Sequence, residues 1–97
     1  MAKVLLGFMG AGKSTIARGL DSDYLDMDAL IEKHLGMSIA EFFVEKGEEA
    51  FRQVESEVLA ELLQRDQVVS TGGGVVISQR NRNLLKTNSD NIYLKAD

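Results

Sequence analysis

The feature that most constrains this chain is an octapeptide near its start, residues 7–14, with the sequence G-F-M-G-A-G-K-S. It matches the pattern G-x-x-x-x-G-K-[ST], in which a glycine-rich loop turns its backbone N–H groups toward phosphate oxygens. Lys13 supplies a cation for the β- and γ-phosphates, and the hydroxyl of Ser14 is a ligand for Mg²⁺. An apolar run precedes the motif and a helix-forming stretch follows it. This context favours a phosphate site over a glycine-rich turn with an incidental lysine.

Short apolar runs alternate with helical stretches along the chain. Strands are expected at residues 4–6, 24–26, 68–71 and 91–94. Helices are expected at residues 13–20, 29–35 and 48–65. Two further helices are expected, one that Ser38 caps and Gly47 ends, and one that Ser78 caps and that runs to residue 86. The longest helix is expected to bury a stripe of apolar residues: Phe51, Val54, Val58, Leu59 and Leu62. This alternation predicts an α/β fold, a parallel sheet with helices on both faces. Because the chain ends on a strand, residues 1–97 are expected to form one domain cut short after its fourth strand.

Composition excludes several classes of protein. Eleven basic residues against 15 acidic ones give a net charge of −4, which argues against a general nucleic-acid binder. The chain has no cysteine, so disulfides, thiolate metal sites and cysteine nucleophiles are excluded. No apolar run approaches the 18 or so residues of a membrane span, and the N-terminus lacks the apolar core of a secretory signal. The expected location is therefore the cytoplasm, with no membrane partner.

Two aspartates, Asp26 and Asp28, stand at the end of the second expected strand. Ligands of open α/β sheets bind outside the carboxyl ends of the strands, so both carboxylates should share a crevice with the phosphate loop. One could hold a water of Mg²⁺, and the other could accept a hydrogen bond from a substrate hydroxyl. The alternative is that Asp28 caps the helix beginning at Ala29 while Asp26 is solvated. The third expected strand contains no acidic residue, so any bound Mg²⁺ would depend on Asp26.

Arg52 on the longest helix has two interpretations. It can form a surface pair with Glu48, one turn earlier, which is the simpler interpretation from position alone. Alternatively, Glu55 can hold its guanidinium as a preorganised clamp for a ligand carboxylate. The triplet Gly72, Gly73 and Gly74 after the third strand allows a ligand to approach the backbone closely, or forms a simple tight turn.

Taken together, these motifs resemble one family. The segments G-F-M-G-A-G-K-S-T, D-M-D, G-M-S-I-A-E-F-F, G-E-E-A-F-R-Q-V-E and S-T-G-G-G-V-V resemble, in that order, the shikimate kinases, and the similarity covers nearly the whole chain. The resemblance implies a P-loop kinase fold of the nucleoside-monophosphate-kinase type, with three layers. It also implies transfer of the γ-phosphate of ATP to the 3-hydroxyl of shikimate, in the route to chorismate and the aromatic amino acids.

The resemblance also implies roles for individual residues. Lys13 and Asp28 would be catalytic, and Ser14 and Asp26 would hold Mg²⁺. Two larger groups are implied as well. ATP phosphates would be bound by Gly10, Ala11, Gly12, Lys13, Ser14 and Thr15. Shikimate would be bound by Asp28, Arg52, Gly72, Gly73 and Gly74, with Phe43 and Phe51 lining the pocket and Glu55 fixing Arg52.

This chain departs from the family pattern in two places. The stretch between Lys13 and Asp26 is shorter than usual by about one helical turn, so a clipped first helix is expected. The chain also ends before the lid with its transition-state arginine, a second arginine for the carboxylate and most of the adenine pocket. A full kinase of this kind is expected to be a monomer, whereas an exposed last strand favours self-association of this chain. Two alternatives stay open: a non-catalytic phosphate- or shikimate-binding module, and a kinase of another small carboxylated polyol.

Overall fold

The strands and helices alternate as the sequence predicts. The computed structural model describes residues 2–7, 13–72 and 74–94, without the side chains of Lys13, Ser14 and Leu94. In chain order the elements are β1 (Lys3–Gly7), α1 (Lys13–Leu20), β2 (Leu25–Asp26), α2 (Met27–Leu35), α3 (Ile39–Lys46), α4 (Glu48–Leu62), β3 (Val68–Ser70), α5 (Gln79–Lys86) and β4 (Asn91–Leu94). No helix in these ranges is long and apolar enough to cross a membrane.

The four strands form one parallel sheet in the order β2-β3-β1-β4. Successive residues of β1 face opposite sides, as the period of a strand requires. Val4 and Leu6 pack with α2, α3, α4 and α5 in the larger core, whereas Leu5 packs with Ala17 of α1 in the smaller one. The sheet therefore has helices on both faces, and the expected three-layer α/β fold is confirmed.

The register of the strands places the carboxyl ends of β1, β3 and β2 at one edge of the sheet. Ser70 of β3 lies opposite both Leu5 of β1 and Asp26 of β2. Just beyond β3, the backbone N–H and the hydroxyl of Thr71 both donate to the Leu5 carbonyl, at 3.2 and 2.7 Å. The carboxyl ends of β1, β2 and β3 thus lie at the same edge of the sheet, which is where ligands of such sheets bind.

Helix α2 begins two residues earlier than the sequence analysis predicts. Asp26, not Asp28, is its N-cap, and its carboxylate accepts a hydrogen bond from the Ala29 N–H at 3.2 Å. Starting at Met27 places the fully buried Met27 and Ile31 one turn apart on the core face. The alternative in which Asp28 caps the helix is therefore wrong, and Asp28 lies in its first turn.

The buried stripe of α4 also differs from the expected one. Phe51, Leu59 and Leu62 are buried as predicted, but the expected Val54 and Val58 are only partly buried. Their places are taken by two polar residues, Glu55 and Ser56, which are 2% and 1% exposed. Residues one turn apart share a helix face. A polar side chain is buried on that face only where it can form hydrogen bonds. The helix ends at Leu62 rather than at residue 65.

Candidate functional site

A cavity of about 170 Å³ opens at the carboxyl edge of β2 and β3. Four segments surround it: the first turn of α2, helix α3, the N-terminal half of α4 and the glycine segment after β3. The residues lining it are Asp28, Ile39, Phe43, Phe51, Arg52, Glu55, Gly72 and Gly74. Seven of them are residues that the resemblance assigns to shikimate, so the fold brings the described part of that predicted set together.

Asp28 and Gly72 meet because their strands are paired. Asp26 lies opposite Ser70, and Asp28 and Gly72 each follow two residues later, Asp28 in the first turn of α2 and Gly72 beyond the end of β3. A Cβ atom built on Gly72 would lie only 2.6 and 2.8 Å from the two carboxylate oxygens of Asp28. Real Cβ atoms do not approach other atoms this closely, so the carboxylate lies where only a glycine at position 72 allows it.

Arg52 is held by Glu55 rather than by the surface residue Glu48. Its Nη1 atom donates to both Glu55 oxygens, at 3.0 and 3.1 Å, and to the Gly74 carbonyl at 3.0 Å. Its Nε atom lies 3.8 Å from a Glu48 oxygen, beyond hydrogen-bond distance. The Glu55 side chain is 3% exposed and that of Glu48 is 62% exposed. We call Arg52, with Glu55 and the Gly74 carbonyl, the arginine clamp.

The clamp keeps donors available for a ligand. Among the residues that the structure describes, neither the buried Nε atom of Arg52 nor its Nη2 atom has a hydrogen-bond partner. The guanidinium carbon lies 5.4 Å from the Phe51 ring centre and 5.9 Å from that of Phe43, and the two rings are 4.8 Å apart. A planar cation held this way can donate two parallel hydrogen bonds to a carboxylate while apolar rings exclude water.

The remaining predicted site residues lie on the phosphate side or outside the described ranges. Gly10, Ala11, Gly12 and Gly73 fall outside them, as do the side chains of Lys13 and Ser14. The motif does connect the end of β1 at Gly7 to the start of α1 at Lys13, and the exposed Thr15 follows in the first turn. The strand and the helix that flank such a loop in phosphate sites are therefore both present.

Asp26 fits a water-rich Mg²⁺ site better than a protein cage. Its carboxylate is exposed, and it lies two strand spacings from β1, about 10 Å. No group of three or more His, Cys, Asp or Glu side chains could hold a metal in the part of the chain that is described. Mg²⁺ typically keeps several waters and takes one or two carboxylates together with substrate phosphates, and an exposed carboxylate such as that of Asp26 is chemically suited to such a site.

Sequence reasoning missed three residues. Ile39 lines the cavity, and two others, Asn81 and Ser56, form hydrogen bonds behind the clamp. A signal for Asn81 was available, because it lies one turn before the buried Leu85 and so on the apolar face of α5. A polar residue at such a position points to a buried hydrogen-bond partner.

Comparison with known proteins identifies the family. The shikimate kinase family model matches residues 9–97. The chain is 57% identical over 99 residues to a shikimate kinase of Streptococcus thermophilus, covering 99% of this chain and 61% of that protein. It is 52% identical over 98 residues to one of Streptococcus gordonii, covering 100% and 61%. The chain thus spans about three fifths of the length of these curated relatives.

Solved structures agree with the sequence comparison. A shikimate kinase from Acinetobacter baumannii in complex with shikimate superimposes with a TM-score of 0.92 at 39% identity, covering 99% of this chain and 56% of the other. The shikimate kinase of Aquifex aeolicus superimposes with a TM-score of 0.84 at 37% identity, covering 96% and 58%. The P-loop kinase α/β fold implied by the resemblance is confirmed, and the chain belongs to the shikimate kinase family.

Proposed function

We propose that this chain forms the phosphate-loop and acceptor-binding part of a shikimate kinase, which transfers the γ-phosphate of ATP to the 3-hydroxyl of shikimate. The observation that best supports this proposal is the cavity in which Asp28 and the arginine clamp face one space of about 170 Å³. A carboxylate and a fixed guanidinium in one small cavity suit an acceptor that has both hydroxyl groups and a carboxylate.

Each residue then has a task in the transfer. Arg52 binds the carboxylate of shikimate, and the rings of Phe43 and Phe51 cover its apolar carbons. Asp28 accepts a hydrogen bond from the reacting hydroxyl, orients its oxygen toward the γ-phosphate and takes its proton. The backbone of Gly72, Gly73 and Gly74 brings the chain against the ligand. Fixing the acceptor in this way supplies the positioning on which phosphoryl transfer depends.

The nucleotide lies on the other side of the reacting oxygen. Backbone N–H groups of Gly10 to Thr15 would surround its phosphates, and Lys13 would neutralise the charge on the transferred group. Ser14 and Asp26 would hold Mg²⁺, which supplies charge neutralisation for the phosphates when bound. A single kinase domain, a monomeric state and a cytoplasmic location remain predictions from the sequence.

A shikimate-binding module without catalysis is the second candidate. Arg52 is the only cation that lines the cavity among the residues the structure describes. Phosphoryl transfer needs cations beside the negatively charged phosphoryl group, in addition to a cation that binds the acceptor carboxylate. Binding without turnover would therefore follow if Lys13 and the metal did not neutralise enough charge.

A transfer assay separates the two candidates. We expect the chain, with ATP, Mg²⁺ and shikimate, to form shikimate 3-phosphate and ADP in equal amounts. Lys13→Ala should abolish both products, and an acceptor lacking the 3-hydroxyl should give none. Shikimate binding with no product above the Lys13→Ala background would instead support the binding module, and absence of both binding and product would contradict the proposed function.

A further inference from the structure

Asn81 lies directly behind the arginine clamp with its whole side chain buried. It is 0% exposed and lies in the first turn of α5. Its amide nitrogen donates to Glu55 Oε1 at 2.7 Å and to the Val75 carbonyl at 2.9 Å, while its amide oxygen accepts from the Ser56 hydroxyl. Both donor hydrogens of the amide are therefore used, and the amide has one preferred orientation.

Through these bonds, Asn81 and Arg52 hold the same carboxylate from two sides. Glu55 Oε1 accepts from both of them, at 2.7 and 3.0 Å. The same two side chains also bind consecutive carbonyls of the glycine segment, Arg52 that of Gly74 and Asn81 that of Val75. The clamp, the glycine segment and α5 are thus joined in one closed network of hydrogen bonds.

Resting on the proposed function, we propose that Asn81 is a positioning residue for the shikimate carboxylate, acting through Glu55, and that Ser56 fixes the orientation of its amide. Without the Asn81 donor, a buried oxygen of Glu55 loses a partner, and the carboxylate gains freedom to rotate or to admit water. Arg52 then loses the fixed partner that orients its plane, so a ligand carboxylate must pay that ordering cost on binding. Among the described residues, the network includes none from β1 or α1, the two elements that flank the phosphate loop.

Ser56→Ala is the cleanest test because it removes one oxygen and leaves a good helix former in α4. We expect it to weaken shikimate binding about threefold to tenfold, and the larger change Asn81→Ala to weaken it about tenfold or more. Affinity for MgADP should stay within about twofold in both variants. The matched control is Asn83→Ala, which removes an exposed asparagine of α5 that bonds only Gln79 in the described structure. Its shikimate affinity should equal that of the wild type.

A second measurement does not depend on shikimate. The side-chain Nε–H signal of Arg52, assigned by its loss in Arg52→Lys, should be sharp in the wild type and broadened in Ser56→Ala. If Asn81→Ala does not fold, the shikimate affinity and the Arg52 signal of Ser56→Ala test the proposal on their own.

Four outcomes would count against the inference, and the last of them would overturn the proposed function as well. Unchanged shikimate affinity in a folded Ser56→Ala chain would overturn it, as would equal losses for shikimate and MgADP, which indicate a general structural role. In an Arg52→Ala background, Ser56→Ala should not weaken shikimate binding any further. A further loss of shikimate affinity in that background would show that Ser56 does not act through Arg52. Failure of the wild type to bind shikimate would overturn the proposed function itself and, with it, this inference.

Discussion

Replacing Arg52 by alanine is expected to weaken shikimate binding about 100-fold, on the order of 3 kcal/mol, because the substitution removes the charge-assisted donors to the ligand carboxylate. Affinity for the nucleotide should change far less, because Arg52 lies on the acceptor side of the sheet edge. Calorimetric titration with shikimate and, separately, with MgADP measures both effects. Equal losses for the two ligands would contradict the clamp assignment.

Two variants make the Arg52 result interpretable. Arg52→Ala leaves Glu55 as an uncompensated buried carboxylate, which is expected to cost about 3–5 kcal/mol of folding stability. Arg52→Lys keeps a cation beside Glu55 but loses the planar fork, so it should fold and still bind shikimate about tenfold more weakly. The matched control is Arg65→Ala, where the exposed arginine lies three residues past the end of α4 and pairs with Glu61 of that helix. It should leave shikimate affinity unchanged.

Gly72→Ala is the second substitution with a large expected effect. The added methyl group would lie 2.6 Å from a carboxylate oxygen of Asp28, so the carboxylate must move. We expect phosphoryl transfer to fall about 100-fold with folding retained, because a shift of about 1 Å in a positioning group has effects of this size. Steady-state rates with saturating ATP and varied shikimate, together with a urea unfolding curve, measure the two quantities.

Gly19→Ala provides the control for the same chemical change. Gly19 lies in α1, and a Cβ atom there would have no neighbour within 4 Å. Alanine should therefore leave shikimate kinetics unaltered and raise the free energy of unfolding by about 0.5–1 kcal/mol, since alanine is the better helix former. A rate for Gly72→Ala equal to that of Gly19→Ala would show that Asp28 does not need its observed position.

The sequence was sufficient to predict nearly all of the elements because their signals are local. Short apolar runs between helical stretches mark the strands. Ser38 and Ser78 cap the helices that follow them, as predicted. The start of α2 was not decided locally, because Asp26 and Asp28 are equally good caps. Burial of Met27 decided it, and burial is a property of the packed core.

Most residues of the candidate site could be predicted from the sequence, but the hydrogen bonds between their side chains could not. Asp28 and Gly72 could be expected at one edge because each follows the carboxyl end of a parallel strand, whereas Arg52 was placed beside them only by the family resemblance. The choice between Glu48 and Glu55 as the partner of Arg52 could not be made from helix spacing, because both lie within one turn of it. It depended on Asn81, 26 residues after Glu55 in sequence, which makes burial of the Glu55 carboxylate favourable.

Titration of the wild-type chain with shikimate and with its methyl ester tests the central claim most directly. The ester keeps every hydroxyl but has no carboxylate charge for the clamp. We predict micromolar-to-millimolar binding of shikimate and binding of the ester at least tenfold weaker, with the difference lost in Arg52→Ala. Equal affinity for the two compounds, or no binding of shikimate to a chain shown to be folded, would contradict the assignment of this cavity as the acceptor site.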